Sequence, residues 1–240
     1  MPGGLNHCEQ CGAPASGDGA TCAYCLSPLF GAGSRADGET GTGAATSNAV
    51  AGLRKLYGEG KVLAALSVLQ HLYKESPETE KDPNVLLLHV KLLFETEGAV
   101  GEIKRLVAKA FVLAPTNPEV ADYKTLAEAK EKLDLGLKQH GEDALRAMLG
   151  RRPNNAHALL LVGTHLFWNR TQLDEAIRYL ERAVQQRPVL LRGWSCLGAA
   201  YATAGKNIQA ERAFRKCLTL ETHPKMIEYF QQALRQLGAA

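Results

Sequence analysis

From Asn48 to the end of the chain, apolar residues recur three and four positions apart, which is the spacing of one face of an α-helix. Glycines and prolines interrupt this pattern and divide it into pairs of helical stretches. The pattern predicts five helical hairpins, at residues 48–76, 84–114, 118–152, 156–188 and 191–222. In the third hairpin we expect a long helix from Pro118, a turn near Gly141 and a short second helix. A single helix from Pro224 to Leu237 is expected to cap the last hairpin.

The last hairpin has a distinctive order of large and small residues. Its characteristic residues are Trp194, Leu197, Gly198, Tyr201, Ala210 and Phe214. This order resembles the repeat of the tetratricopeptide repeat (TPR) family, a pair of helices about 34 residues long. The hairpin at 156–188 shows a second match through Gly163, Ala176 and Ala183. The resemblance implies an all-α fold in which hairpins stack into a right-handed superhelix, because one hairpin cannot bury its apolar face alone.

The resemblance also implies that the first helix of each hairpin lines a concave groove, which binds a protein or a peptide. The residues at the motif positions expected to face this groove are Leu160, Thr164, Phe167 and Trp168 in one hairpin and Arg192, Ser195, Ala199 and Thr203 in the next. These residue types favour apolar or mixed contacts. Phe167 and Trp168 have a second interpretation, since aromatic residues at helical spacing often belong to the core. We expect a protein or peptide partner and no small-molecule substrate.

Residues 1–30 contain two Cys-x2-Cys pairs, Cys8 with Cys11 and Cys22 with Cys25, separated by ten residues. Four thiolates at this spacing are the ligands that a structural zinc ion takes. The segment has few large apolar residues, so metal binding would supply the free energy for its folding. The stretch also resembles the short zinc-ribbon family. Iron bound by the same thiolates, or two disulfides, stay open as alternatives.

Residues 31–47 are rich in glycine and lack large apolar residues, which predicts a flexible linker between the ribbon at 1–30 and a helical domain at 48–240. The 240-residue chain has a net charge of +3, but the ribbon segment has no lysine or arginine. Because phosphate contacts need cations, we do not expect nucleic acid to bind there. The sequence has no apolar run of membrane-spanning length and no recognisable signal peptide, so we expect a cytoplasmic protein.

The sequence has none of the common catalytic motifs, such as a phosphate-binding loop or a His-Glu-x-x-His helix, so we expect no enzymatic activity. The main hypothesis is an adaptor or scaffold, in which the TPR-like domain binds a protein and the ribbon makes a second contact. The alternative is a regulator that uses the zinc ribbon for nucleic-acid or metal-dependent contacts. The two remaining cysteines, Cys196 and Cys217, fall on helical positions and are expected in the core.

The N-terminal cysteines give a testable prediction. The purified full-length chain is expected to contain one zinc ion, and the double substitution Cys8→Ser with Cys11→Ser is expected to remove it, because two thiolates cannot close a tetrahedral site. Atomic emission spectrometry measures the metal content. Cys196→Ser with Cys217→Ser is the control and should retain the zinc. Iron in place of zinc, or zinc retained without Cys8 and Cys11, would contradict the prediction.

Overall fold

The computed structural model of the chain describes residues 42–170, 172–221 and 223–238. The expected zinc ribbon and most of the expected linker lie outside the described residues. Every regular element within the described ranges is helical, and these elements are eleven α-helices and one 3-10 helix. None of the described helices is both long and apolar enough to cross a membrane.

The helices follow one another as five pairs and a final single helix. In chain order they are α1 (Thr42–Gly58) and α2 (Val62–Glu75), a 3-10 helix (Pro77–Lys81), α3 (Pro83–Glu95) and α4 (Val100–Leu113), α5 (Pro118–Asp134) and α6 (Lys138–Arg151), α7 (Ala156–Asn169) and α8 (Leu173–Gln186), α9 (Leu191–Thr203) and α10 (Asn207–Leu220), and α11 (Pro224–Gln236). The prediction of an all-helical chain of five hairpins and a capping helix is confirmed over these residues.

An acidic or amide side chain begins the first helix of each of the three middle hairpins. The side-chain oxygens of Asp82, Asn117 and Asn155 accept backbone N–H groups of the following turn at 2.8 to 2.9 Å. The first N–H groups of a helix have no partner inside the helix, so each such bond stabilises the helix start by about 1 kcal/mol. These side chains therefore mark where each of the three hairpins begins.

The two helices of each hairpin are joined by a short turn that contains one residue with a positive φ. These residues are Gly60, Glu97, Gly136, Arg170 and Gly205. Glycine adopts this backbone conformation readily, whereas Glu97 at φ 57° and Arg170 at φ 54° adopt it at a cost of about 1 kcal/mol each. The same turn geometry is therefore kept even where the sequence has no glycine to favour it.

Neighbouring hairpins pack against each other in a repeated way. The second helix of each hairpin contacts the first helix of the next, and α10 contacts α11 in the same manner. The first helices also contact one another in order, from α1 through α3, α5 and α7 to α9. This TPR-like stack gives the described part of the chain an inner face lined by the first helices. The right-handed sense of the coil stays a prediction.

The buried apolar side chains form one main core that runs from α3 to α9 and a smaller cluster at each end. At the C-terminal end, Phe230 and Leu234 of α11 are buried against the last hairpin, while Met226 and Tyr229 of the same helix are exposed. The capping helix thus covers the apolar face that the last hairpin cannot bury by itself.

The third hairpin differs from the prediction in the position of its turn. The turn lies at Gly136, and Gly141 is buried inside α6. A Cβ atom at Gly141 would lie 2.4 Å from Cδ2 of Leu133, so this glycine permits a close contact between α6 and α5. The first helix also differs, because α1 begins at Thr42, inside the segment that its composition assigns to the linker.

Close helix contacts at glycine give a prediction about stability. A Cβ atom at Gly163 of α7 would lie 2.7 Å from Cγ of Leu180, so Gly163→Ala is expected to lower the free energy of unfolding by about 1–2 kcal/mol through overpacking. Gly52→Ala in α1 is the control, since among the described residues no atom beyond its own helical turn lies within 4 Å of the added methyl group. The control should stabilise the chain by about 0.5–1 kcal/mol through helix propensity. Urea unfolding measures both, and equal effects would contradict the prediction.

Candidate partner-binding site

Five polar or charged residues meet on the inner face of the stack. We call them the inner network, and they are Tyr57, Glu95, Tyr123, His157 and Arg187. The first four belong to α1, α3, α5 and α7, and Arg187 directly follows α8. The network therefore joins all of the first four hairpins, although its members are far apart in the sequence.

The carboxylate of Glu95 lies at the centre of this network, and its side chain is 2% exposed. The guanidinium Nε of Arg187 donates to Oε1 of Glu95 at 2.7 Å, and Nε2 of His157 lies 3.2 Å from the same oxygen. The hydroxyl of Tyr123 is 2.6 Å from Nδ1 of His157. The guanidinium of Arg187 also lies 3.8 Å from the ring centre of Tyr57 and donates to its carbonyl oxygen at 2.8 Å.

The protonation of the inner network follows from these contacts. Burial acts to raise the pKa of Glu95, but the hydrogen bonds and charges of His157 and Arg187 outweigh burial and lower this pKa. Burial raises the pKa of the Tyr57 and Tyr123 hydroxyls. At neutral pH the network therefore holds one buried carboxylate, which Arg187 neutralises, between two uncharged phenols. Such a carboxylate would be strongly destabilising without its partners.

Beside the inner network, a cavity of about 350 Å³ opens on the inner face. We call it the groove, and its lining residues are Glu97, Lys130, Leu133, Asp134, Leu161, Thr164, His165, Trp168 and Arg192. The C-terminal ends of α5 and α7, the start of α9 and the turn after α3 supply these residues. The first helices of three successive hairpins thus build one open site.

Charges of both signs line the groove, and they form ion pairs within the chain. Nζ of Lys130 lies 2.9 Å from Oδ2 of Asp134, and Arg192 pairs with Glu97. A second guanidinium nitrogen of Arg192 donates to the carbonyl of Phe94 at 3.1 Å. Because the charges are already compensated, the groove favours a partner with mixed polarity over one with a large net charge.

Trp168 is an exposed apolar side chain of this site, with 69% of the residue's surface open to solvent. Its ring centre is 5.1 Å from that of Phe167, which is partly buried against the main core. Each of the two interpretations therefore applies to one residue. Phe167 packs against the core, and Trp168 projects into solvent at the groove. A large, rigid and exposed aromatic side chain is typical of the residues that carry binding energy at protein interfaces.

Of the residues predicted from the sequence to face the groove, some line it in the structure and others do not. Thr164, Trp168 and Arg192 line the groove together. Ser195 and Ala199 are partly exposed on α9 but are not among the residues that line the cavity. The structure therefore brings three of the nominated residues into one site.

Leu160, which was also predicted to face the groove, is 1% exposed and belongs to the main core. Its neighbour Leu161 lines the groove instead. Successive residues of a helix point about 100° apart, so a shift of one position exchanges a groove-facing side chain for a buried one. An accessible surface at Leu160 is thus a prediction that the structure corrects.

Sequence reasoning did not single out Lys130, and it neither assigned His165 to the groove nor predicted the inner network. One signal for the network is present in the sequence, because Tyr123 and His157 are 34 residues apart. This separation equals one TPR repeat, so the two residues occupy the same position in successive hairpins. The hydrogen bond between them is a contact between equivalent positions. Nothing comparable in the sequence indicates Glu95 and Arg187, which are 92 residues apart.

Among the described residues, no group of three or more histidine, cysteine, aspartate or glutamate side chains is arranged to hold a metal ion. Cys196 lies in α9 and Cys217 in α10, and burial raises the pKa of both thiols. A buried thiol with a raised pKa is a poor nucleophile. The expected zinc ligands Cys8, Cys11, Cys22 and Cys25 lie outside the described residues.

No protein-family model matches the chain, and no curated protein matches it. Solved structures do match. TTC0263, described as a thermophilic TPR protein of Thermus thermophilus, is 18% identical with a TM-score of 0.49, and the match covers 79% of this chain and 99% of that one. YrrB, described as a TPR protein with an unusual peptide-binding site, is 16% identical with a TM-score of 0.40, over 81% of this chain and 98% of that one.

The structure of MamA also matches, with 22% identity and a TM-score of 0.38, over 75% of this chain and 93% of that one. At these levels of identity the likenesses concern the fold alone. The TPR-like class of this chain therefore rests on its own stacked hairpins and on the motif in its last hairpin.

The buried carboxylate gives a prediction about stability. Glu95→Gln is expected to lower the free energy of unfolding by about 3–5 kcal/mol, because Arg187 loses its charged partner in a buried site. Glu211→Gln is the control, since Glu211 pairs at 2.8 Å with the exposed Arg215, and it should change stability by less than about 0.5 kcal/mol. Chemical denaturation measures both variants, and equal effects would contradict the prediction.

The same variant gives the expected pH dependence. The pKa of Glu95 is lowered in the folded state, so its stabilising contribution is complete above the unfolded-state pKa of glutamate, about 4.3. The contribution is then lost as the pH falls through the folded-state pKa. The difference in stability between the wild type and Glu95→Gln should therefore be constant near neutral pH and shrink in acid. A difference that grows in acid would contradict the assignment of Glu95 as a buried carboxylate.

Proposed function

We propose that this chain is a non-enzymatic scaffold for protein interactions, which binds an extended peptide or a helix of a partner in the groove between α5, α7 and α9. The observation that carries this proposal is the exposed Trp168 at a cavity of about 350 Å³ on the inner face. Stacked helical hairpins generally use their concave surfaces for binding. The TPR-like fold supports the same class of function.

The chemistry of the groove suggests what the partner segment contains. Leu133, Leu161 and Trp168 offer apolar surface, and the ion pairs of Lys130 and Arg192 stand beside it. We infer that the partner places one apolar or aromatic side chain in the cavity and surrounds it with polar groups of both signs. Exclusion of water around an aromatic anchor, rather than net charge, would then supply most of the affinity.

The inner network supports this position for the binding site. Glu95, Tyr123 and His157 occupy the inner sides of α3, α5 and α7, and each is less than 10% exposed. A partner segment cannot reach this part of the inner face while the network is closed. Among the described residues, none covers the groove at the other end of α5 and α7 in this way, so we assign partner binding to it.

Two of the described histidines on the first helices already have polar partners within the chain. His157 belongs to the inner network, and Nε2 of His165 lies 3.1 Å from Oε1 of Glu142. Burial lowers the pKa of His165 and raises the pKa of the Cys196 and Cys217 thiols. These features support a binding role rather than an enzymatic one.

We further propose that Cys8, Cys11, Cys22 and Cys25 hold a structural zinc ion, which supplies the folding free energy of the N-terminal ribbon. The spacing of the four thiolates supports this proposal. The ribbon would provide a second contact surface for the scaffold. The absence of lysine and arginine from residues 1–30 argues for a protein contact there rather than a nucleic-acid contact.

The groove is tested with peptides selected from a random library on the full-length chain. Trp168→Ala is expected to weaken the binding of the selected peptides by about tenfold or more, as loss of an interface anchor does. Isothermal titration calorimetry measures the affinities. Ile208→Ala is the matched control, because Ile208 is 67% exposed and lies outside the groove. Equal losses in both variants, or no selected peptide that depends on Trp168, would contradict the proposal.

A further inference from the structure

The segment between α8 and α9 reaches back to the first two hairpins. We call residues 187–192 the clasp. Arg187 contacts Tyr57 and Glu95, and Arg192 bonds to the carbonyl of Phe94. Between them, Val189 packs on the first turn, where a Cβ atom at Gly60 would lie 2.8 Å from Cβ of Val189. The clasp thus joins the fourth and fifth hairpins to the first and second across the inner face.

The surroundings of the Arg187 guanidinium combine three kinds of contact that recognise arginine. Glu95 accepts from Nε at 2.7 Å and from Nη2 at 3.4 Å, so both carboxylate oxygens face the guanidinium. The ring of Tyr57 lies 3.8 Å from the guanidinium carbon, and the carbonyl of Tyr57 accepts from Nη2 at 2.8 Å. A carboxylate fork, an aromatic face and a carbonyl oxygen together fit a planar guanidinium and do not fit an ammonium group equally well.

Glu95, one of the two residues that receive this guanidinium, is held in place by groups other than the clasp. The Glu95 carboxylate is bound by Nε2 of His157 at 3.2 Å, and Nδ1 of His157 is in turn 2.6 Å from the hydroxyl of Tyr123. The ring of Phe94 packs near both, with ring centres 5.7 Å from Tyr123 and 5.9 Å from His157. Helices α3, α5 and α7 therefore fix the carboxylate of the receiving site without help from the clasp, and α1 supplies Tyr57.

We propose that Tyr57 and Glu95 form a guanidinium-binding site, that Arg187 occupies it in cis, and that an arginine side chain of a partner segment takes the place of Arg187 when the clasp opens. The Arg187 side chain is 15% exposed, so the site borders the solvent of the inner face. The contact is autoinhibitory, because a tethered side chain competes at a high effective concentration with any free ligand. This site is distinct from the groove at Trp168, and the inference goes beyond the proposed function.

The site is tested in the full-length chain by emptying it and refilling it. Arg187→Ala removes the guanidinium and is expected to lower the melting temperature by several degrees. Ethylguanidinium at millimolar concentration should raise the melting temperature of this variant, since a ligand that binds the folded state stabilises it. Ethylammonium, with the same charge and without the planar fork, should not. The wild type, whose site is filled, should respond to neither compound.

The position of the ligand is checked by a second variant. Arg187→Ala combined with Glu95→Gln lacks the carboxylate and should lose the response to ethylguanidinium, whereas Arg187→Ala combined with Trp168→Ala should keep it. If Arg187→Ala does not fold, Arg187→Gln takes its place, because it removes the guanidinium and keeps part of the side chain's packing. Folding of each variant is verified by circular dichroism. The same response in the wild type, or no response in a folded variant, would overturn the proposal.

Opening of the clasp is measured separately. In Arg187→Ala we expect faster amide hydrogen exchange in the turn around Gly60 and a larger radius of gyration by small-angle X-ray scattering, because Val189 is no longer held there. Ethylguanidinium should restore the melting temperature but not the compact shape, since it fills the site without a tether. An unchanged shape and unchanged exchange in Arg187→Ala would show that the clasp does not control access to the inner face and would overturn the autoinhibitory part of the proposal.

Discussion

A pair of helices leaves one apolar face uncovered, and the rest of this structure follows from the need to bury that face against a neighbouring pair. Small residues at the helix crossings meet this need. Gly163 lies against Leu180 and Gly198 against the ring of Phe214, at distances that leave no room for a methyl group. The same requirement explains α11, which has no partner helix and buries Phe230 against the last hairpin. Each hairpin is therefore stable only as a member of the stack, and the inner face is a consequence of the stacking.

A buried carboxylate adds a second constraint to the inner face. Glu95 at 2% exposure requires a charged partner, and the partner it has, Arg187, lies beyond α8. This ion pair holds the clasp against the first two hairpins. It also covers the inner sides of α3, α5 and α7 where their buried polar residues lie. Stacked hairpins alone would leave the whole inner face open. The ion pair closes one part of it, and the groove around Trp168 lies outside the part that is closed.

The number and order of the helices could be predicted from the sequence because their limits are local. Asparagine or aspartate at a helix start and glycine at a turn act within a few residues. Glycine has two uses, however, and the sequence does not distinguish them. The turn of the third hairpin uses Gly136 for its positive φ, whereas Gly141 serves close packing inside α6, and the prediction placed the turn near Gly141. Of the site, Thr164, Trp168 and Arg192 follow from the repeat position, but the pairing of Glu95 with Arg187 depends on how far the stack curves, which no local pattern records.

Arg192 connects the two parts of the inner face. It lines the groove, and it also binds the carbonyl of Phe94 and pairs with Glu97, so it belongs to the clasp as well. A partner that draws Arg192 into the groove would weaken the hold of the clasp on α3, and an opened clasp would leave Arg192 free to turn toward a partner. Such coupling is reciprocal, because each event changes the free energy of the other by the same amount. The groove and the guanidinium site therefore differ in the ligands proposed for them, and Arg192 is the side chain that the groove shares with the clasp.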